Sequence, residues 1–142
     1  MSLSIKRAEL WAAEIEDQAG GLAQKLAGLS EAGVNLEFIF ARRSSEAPGK
    51  GVVFVTPLKG ARAIRAAKEL GFQALGRVGV VRVEGPDKKG IAAHMTGAVA
   101  KLDVTMRGFS ATSMHKRSVI HLAFDSVADA TRAIRALKKL KI

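Results

Sequence analysis

The side chains that most often do chemistry in proteins are sparse in this chain and stand apart from one another. The three histidines, His94, His115 and His121, fall in a predicted helix, near a loop and in a predicted strand. They lack the spacing of metal ligands on a helix, and no carboxylate partner is evident. Cysteine is absent, which excludes thiol catalysis and disulfides. No serine has a nucleophile-elbow context, and no glycine run forms a phosphate loop. The sequence therefore predicts a protein that is not an enzyme and that uses no metal or cofactor.

The chain is composed of two related halves, because it matches itself without a gap when it is shifted by 70 residues. The matches span the whole length: Asp17 and Asp87, Gly20 and Gly90, Phe54 and Phe124, and residues 62–66 with residues 132–136. A period of this size is longer than that of solenoid or propeller repeats. We therefore expect two small domains, residues 1–71 and residues 72–142.

Each half shows the same order of predicted strands and helices. In the first half these are a strand at 10–15, a helix from Leu22 that ends at Gly33, strands at 34–40 and 51–56, and a helix at 59–70. Residues 72–75 add a short fourth strand. The second half repeats the order at 78–83, 91–102, 104–112, 118–124 and 127–140. The βαββαβ order predicts an α+β fold of two ferredoxin-like units in tandem. We expect them to form a pseudo-twofold pair with antiparallel sheets and helices on one face.

The second half runs out at Ile142, where its fourth strand would begin. At the same shift, residues 2–5 fall on residues 72–75, the fourth strand of the first half. We therefore hypothesise that residues 1–7 complete the sheet of the second unit.

The net charge of +10 is unevenly shared, with +2 on residues 1–71 and +8 on residues 72–142. Such a basic half could attract nucleic acid or an acidic surface. However, its charges are dispersed over predicted helix faces with no long basic block, which favours an ordinary solvated surface. The sequence shows neither an apolar run of about 20 residues nor a signal peptide. We expect a cytoplasmic protein with no membrane contact.

Five segments form a recognisable set: residues 16–23 (Glu-Asp-Gln-Ala-Gly-Gly-Leu-Ala), 32–36 (Ala-Gly-Val-Asn-Leu), 51–57 and 69–72 in the first half, and residues 83–91 in the second. Together they resemble the ACT domain, a small regulatory module that binds amino acids. The resemblance covers nearly the whole chain and is specific as a set, although each segment alone is weak. It implies a tandem ACT-domain protein.

The resemblance further implies a ligand site at the seam between two units, built from the first strand–helix turn of one copy and an edge of its neighbour. Free backbone N–H groups and the helix dipole at such a turn favour an anion, such as the carboxylate of an amino acid. The implied ligand-binding residues of the first half are Asp17, Gln18, Gly20, Gly21, Leu22 and Asn35. Their counterparts in the second half include Asp87, Gly90 and Ile91, where Gly21 is replaced by Ile91 and Asn35 by Thr105. We therefore expect the first turn to bind and the second site to be degenerate.

Plainer roles remain open for these residues. Asp17 and Asp87 could simply hold the turn by local hydrogen bonds. Gly20 and Gly90 could serve turn geometry alone, and Asn35 could cap the edge of a strand.

The favoured function is a non-catalytic regulatory protein that binds a small molecule, for which we expect an amino acid, and that assembles as a homo-oligomer, expected to be a dimer. The first alternative is a protein–protein interaction or oligomerisation module without a ligand. A weaker alternative is an RNA-binding ferredoxin-like domain, suggested by Arg107-Gly108-Phe109-Ser110. The residues that follow supply no stacking aromatics, and the run lies on the second strand of its unit rather than the third. Nucleic acid is therefore not an expected partner.

Overall fold

The computed structural model describes residues 3–141, which form two compact units. One unit is continuous in sequence, Glu9–Leu75, and is called the continuous unit. The other combines the chain up to Ala8 with the chain from Gly76 onward and is called the split unit. Both are antiparallel four-stranded sheets with two helices, so the predicted pair of βαββαβ ferredoxin-like units is confirmed.

The continuous unit contains β2 (Trp11–Glu16), α1 (Gly21–Glu31), β3 (Phe38–Arg43), β4 (Lys50–Thr56), α2 (Ala61–Glu69) and β5 (Gln73–Ala74). Its strands lie in the order β3-β4-β2-β5. Trp11, Val53, Val55 and Leu29 are buried between the sheet and the helices, together with Phe72, which follows α2. The predicted strand over residues 34–40 begins later, at Phe38. Val34 and Leu36 precede it in a loop and pack against this core.

The split unit contains β1 (Ser4–Ala8), β6 (Gly79–Pro86), α3 (Ile91–Ala100), β7 (Met106–Met114), β8 (Arg117–Phe124) and α4 (Val127–Lys138). Its strand order is β1-β6-β8-β7. β1 pairs with β6 over five residues, from Ser4 opposite Glu84 to Ala8 opposite Val80. The fourth strand of this sheet thus comes from the beginning of the chain; Ser2, which we expected in it, lies outside the described residues. Within residues 3–141, no helix is long and apolar enough to span a membrane.

The two helices of each unit run antiparallel, and an arginine of the second helix contacts the C-terminal end of the first. In the continuous unit, Arg62 of α2 donates to the carbonyl of Glu31 at the end of α1, over 3.4 Å. In the split unit, the equivalent Arg132 donates to the carbonyl of Leu102 over 2.9 Å. A cation at the C-terminal end of a helix also offsets the negative end of its dipole.

The hairpin between the second and third strands differs between the units. Seven residues separate the paired Arg43 and Gly51, whereas four separate the paired Ser113 and Ser118. The difference of three residues shifts β8 relative to β4 in the repeat alignment. A shift by an odd number of residues moves each side chain to the opposite face of the sheet. Phe124 is accordingly fully buried in the core of the split unit, whereas Phe54 stacks on Phe40, itself 48% exposed, with ring centroids 6.4 Å apart. The sequence match of Phe54 with Phe124 is therefore not a structural equivalence.

Candidate functional site

The turn between β2 and α1 is held by backbone hydrogen bonds. The N–H of Asp17 donates to the carbonyl of Gly49 over 3.1 Å, and the N–H of Gln18 donates to that of Glu16 over 2.9 Å. Gly20 has φ +88°, a left-handed conformation that glycine adopts without strain. A Cβ on Gly21 would overlap the carbonyl oxygen of Glu16, so this position requires glycine for a close approach of backbone to backbone. The backbone geometry of the turn therefore requires glycine at both positions, which agrees with the plainer interpretation of Gly20.

The first turn of α1 offers free hydrogen-bond donors. No side chain caps the helix, and the N–H of Gln24 is the first to bond within the helical pattern, to the carbonyl of Gly20 at 3.0 Å. The N–H groups of Leu22 and Ala23 find no acceptor among residues 3–141. Unpaired N–H groups at the positive end of a helix dipole attract an anion.

A cavity of about 400 Å³ opens beside this turn. Its lining is mostly polar: Glu14, Glu16, Gln18, Gln24 and Lys25, with Ile15, Ala19, Gly20 and Gly21. The cavity thus brings together the turn that opens α1 and the carboxylates of the neighbouring strand. The sequence shows Glu14 and Glu16 as alternate residues at the end of a predicted strand, which places them on one face of it. It does not show that this face borders a cavity.

Lys50 moderates the charge of these carboxylates. Its ammonium nitrogen lies 2.5 Å from Oε1 of Glu16 and 3.9 Å from Oε1 of Glu14. The hydrogen bond to Glu16 is the main reason that the pKa of Lys50 is raised above its ordinary value of 10.5. Desolvation acts in the opposite direction, and the charges of Glu16 and Glu14 add to the increase.

Lys25 is a site residue that the sequence reasoning missed. It lines the cavity, and its Nζ donates to the carbonyl of Leu70, just beyond the end of α2. It therefore joins the cavity to the neighbouring helix. A spacing of four residues from Gly21, one helical turn, was the signal that could have identified it.

The structure separates the predicted site residues. Gln18, Gly20 and Gly21 line the cavity, while the half-buried side chain of Leu22 packs against the core. Asp17 does not cap the helix; its Oδ2 accepts from Nε of Arg43 at 2.9 Å. Asn35 is exposed in the loop before β3. That loop follows the far end of α1, so within this unit Asn35 lies at the opposite end from the turn.

The turn of the split unit has the same backbone conformation as that of the continuous unit, but a buried isoleucine replaces one of its glycines. Gly90 has φ +81°, and the N–H of His94 donates to its carbonyl over 3.0 Å. The N–H of Asp87, an exposed residue, donates to the carbonyl of Lys116 over 2.8 Å. Ile91, in the place of Gly21, is buried in the core.

The histidines are dispersed in the structure as well. Nδ1 of His94 lies 2.8 Å from the carbonyl oxygen of Gly90, His115 occupies the tip of the β7–β8 hairpin, and His121 is buried on β8. Among residues 3–141, no cluster of three or more histidine or acidic side chains could hold a metal ion.

Comparison with known proteins identifies the fold. No protein-family model and no curated protein sequence matches the chain. Among solved structures, protein BT0572 from Bacteroides thetaiotaomicron has a TM-score of 0.76 and 14% identity, covering 96% of this chain and 99% of that one. The ligand-free regulatory subunit of aspartate kinase from Thermus thermophilus has a TM-score of 0.63 and 18% identity, covering 96% and 95%. That from Thermus flavus has 0.57 and 21%, covering 96% and 93%. At these identities the likeness concerns the fold: the chain has the tandem ferredoxin-like architecture of these regulatory subunits.

Proposed function

We propose that the protein is a non-catalytic regulatory protein that binds a small amino acid at the start of α1. The observation that carries the proposal is the cavity lined by the turn residues Gln18, Gly20 and Gly21 together with Glu14 and Glu16. The free N–H groups of Leu22 and Ala23 belong to the helical turn that directly follows this lining. The similarity in fold to regulatory subunits of aspartate kinase supports a regulatory role.

A zwitterion suits this cavity better than a simple anion does. The carboxylate of the ligand would accept from the two amides at the positive end of the α1 dipole. Its ammonium group would face Glu14, whose side chain is 64% exposed and whose distance to Lys50 is long for an ion pair. A simple anion would meet the same carboxylates without compensation. Gln18 and Gln24 offer both donors and acceptors to the rest of the ligand.

The test removes an amide without breaking an existing hydrogen bond. Ala23→Pro deletes one free donor in the first helical turn, where proline is tolerated. Ala93→Pro is the matched control, because Ala93 occupies the same position in α3. Substitution of Gly20 would be a poor test, since any side chain there would be strained at φ +88°.

Thermal-shift measurements against the twenty amino acids identify the ligand, because a compound that binds only the folded state raises the melting temperature. Calorimetry on the two variants then locates it. We expect Ala23→Pro to weaken binding about tenfold or more, corresponding to one lost charge-assisted hydrogen bond of about 1.5–3 kcal/mol, and Ala93→Pro to leave the affinity unchanged. Equal affinities in both variants would remove the ligand from this turn. A complete absence of shifts would favour the oligomerisation module, for which sedimentation should then show a stable homodimer.

A further inference from the structure

The fold gathers basic side chains from four segments at one end of the split unit. β6 ends there, α3 begins there, β7 and β8 meet in their hairpin there, and α4 ends there. We call this end the basic pole and define it by its cations: Lys88, Lys89, Lys116, Arg117, Lys138 and Lys139. In the sequence these residues are dispersed over about a third of the chain, so no basic block is visible.

Three contacts bring the segments together. The N–H of Asp87 donates to the carbonyl of Lys116 over 2.8 Å, which fastens the turn before α3 to the hairpin. Arg117 is directly opposite Pro86, the last residue of β6. α4 packs along β6, and its start lies against Gly79, the first residue of that strand. The end of α4, with Lys138 and Lys139, therefore lies toward the end of β6.

Among residues 3–141, this end contains two acidic residues, Glu84 and Asp87. Glu84 lies 3.1 Å from Arg82 and 3.8 Å from Arg117. The same end of the continuous unit is mixed, with Gln18 and Ala19 in the places of Lys88 and Lys89 and with Glu14 and Glu16 beside the turn. The two copies of one fold thus differ in charge at equivalent ends, because the split unit is basic there and the continuous unit is mixed.

We propose that the basic pole binds the phosphodiester backbone of a nucleic acid without reading its sequence. Protein–nucleic acid interfaces are polar and strongly positive, and backbone contacts from lysine and arginine supply essentially all of non-specific binding. This mode differs from that of RNA-recognition domains, which stack bases on aromatic side chains of the sheet, and it does not depend on the amino-acid site.

Other polyanions fit this surface less well. A stable protein–protein interface needs an apolar centre, and among residues 3–141 the large apolar side chains exposed at this end are limited to Met114, which is 66% exposed. A membrane-binding surface likewise combines basic residues with several apolar ones that insert between lipids. An exposed surface of lysines with one methionine therefore suits a phosphate backbone best.

The experiment compares two triple variants that remove the same charge. Lys89→Gln, Lys116→Gln and Lys138→Gln together alter the basic pole. Lys59→Gln, Arg65→Gln and Lys68→Gln alter exposed cations of the continuous unit, and Lys68 is the repeat counterpart of Lys138. Fluorescence anisotropy with labelled single-stranded and double-stranded DNA of mixed sequence, over a series of salt concentrations, gives the affinity and its salt dependence. Circular dichroism verifies that both variants are folded.

The unaltered protein should bind both DNAs, with the logarithm of the binding constant falling linearly with the logarithm of salt concentration. Each phosphate contact contributes about 0.7–0.9 to that slope, so the pole variant should lose about 2–3 units of slope and bind about tenfold or more weakly at low salt. The control variant should lose much less. Equal losses in the two variants would overturn the proposal, because they would indicate a general charge effect. It would also be overturned if DNA failed to bind at low salt, or if poly-glutamate or anionic phosphatidylserine vesicles displaced the DNA at equal charge concentration.

Discussion

The carbonyl oxygen of Glu16 occupies the space that a Cβ on Gly21 would need. Both groups belong to the backbone, so a side chain at this position must displace either the end of β2 or the start of α1. We expect Gly21→Ala to lower the free energy of unfolding by about 1–3 kcal/mol, as overpacked positions do. Urea unfolding followed by circular dichroism measures the loss.

Gly97 provides the matched control for this substitution. It lies within α3, and a Cβ there would meet no atom within 4 Å. Gly97→Ala should therefore stabilise the protein by about 0.5–1 kcal/mol, because alanine loses less backbone entropy in a helix. A stabilising Gly21→Ala, or equal effects of the two substitutions, would contradict the backbone overlap at Gly21.

Phe124 and Phe54 should differ in their contributions to stability, although the sequence repeat aligns them. Phe124 is fully buried, so Phe124→Ala should lower the free energy of unfolding by about 3–5 kcal/mol. Phe54 is half-buried and stacks on Phe40; its truncation should cost roughly 1–2 kcal/mol, including about 0.5–1.5 kcal/mol for the ring pair. Denaturant titrations of the two variants measure both losses. Equal losses would indicate that Phe54 and Phe124 are structurally equivalent, as the sequence repeat aligns them.

Lys50 should make the stability sensitive to alkaline pH. The pKa of Lys50 is raised in the folded state, chiefly by its hydrogen bond with Glu16. The stabilisation is therefore fully present below its ordinary value of 10.5 and is lost as the pH rises through the raised pKa. The difference in unfolding free energy between the unaltered protein and Lys50→Met should therefore shrink as the pH rises through the raised pKa of Lys50. In a Glu16→Gln background the same comparison should show a weaker pH dependence; an undiminished one would assign the effect to another group.

Removal of residues 1–6 should destabilise the split unit selectively. β1 pairs with β6 at the edge of the sheet, and Leu3 and Ile5 pack against the core of that unit. Hydrogen exchange should therefore accelerate in β6 and β8 of the truncated chain, while β2 and β4 retain their protection. Faster exchange confined to β2 and β4 would be incompatible with the observed pairing.

The order of elements was predictable because it depends on local patterns. Gly33, at φ +79°, follows α1 as a helix stop signal predicts. Short apolar runs placed β2 and β6 near their observed positions. The alternation of apolar residues over 34–40 located β3 but predicted its start four residues too early. The two left-handed glycines, Gly20 and Gly90, were also recognisable as the turn positions that open α1 and α3, since the repeat preserves them.

By itself the sequence determined two copies of one βαββαβ pattern, the turns that open α1 and α3, and a chain poor in catalytic groups. Strand register and the meeting of distant residues were decided only by the tertiary structure. The hairpin of the split unit is three residues shorter than that of the continuous unit, although the repeat aligns without a gap. The second helix makes up the difference, because α4 begins one helical turn earlier in the repeat than α2 does. Lys25 reaches Leu70, and the cations of the basic pole converge, only because antiparallel helices pack on a sheet. Such contacts join residues far apart in the chain, and local propensity contains no information about them.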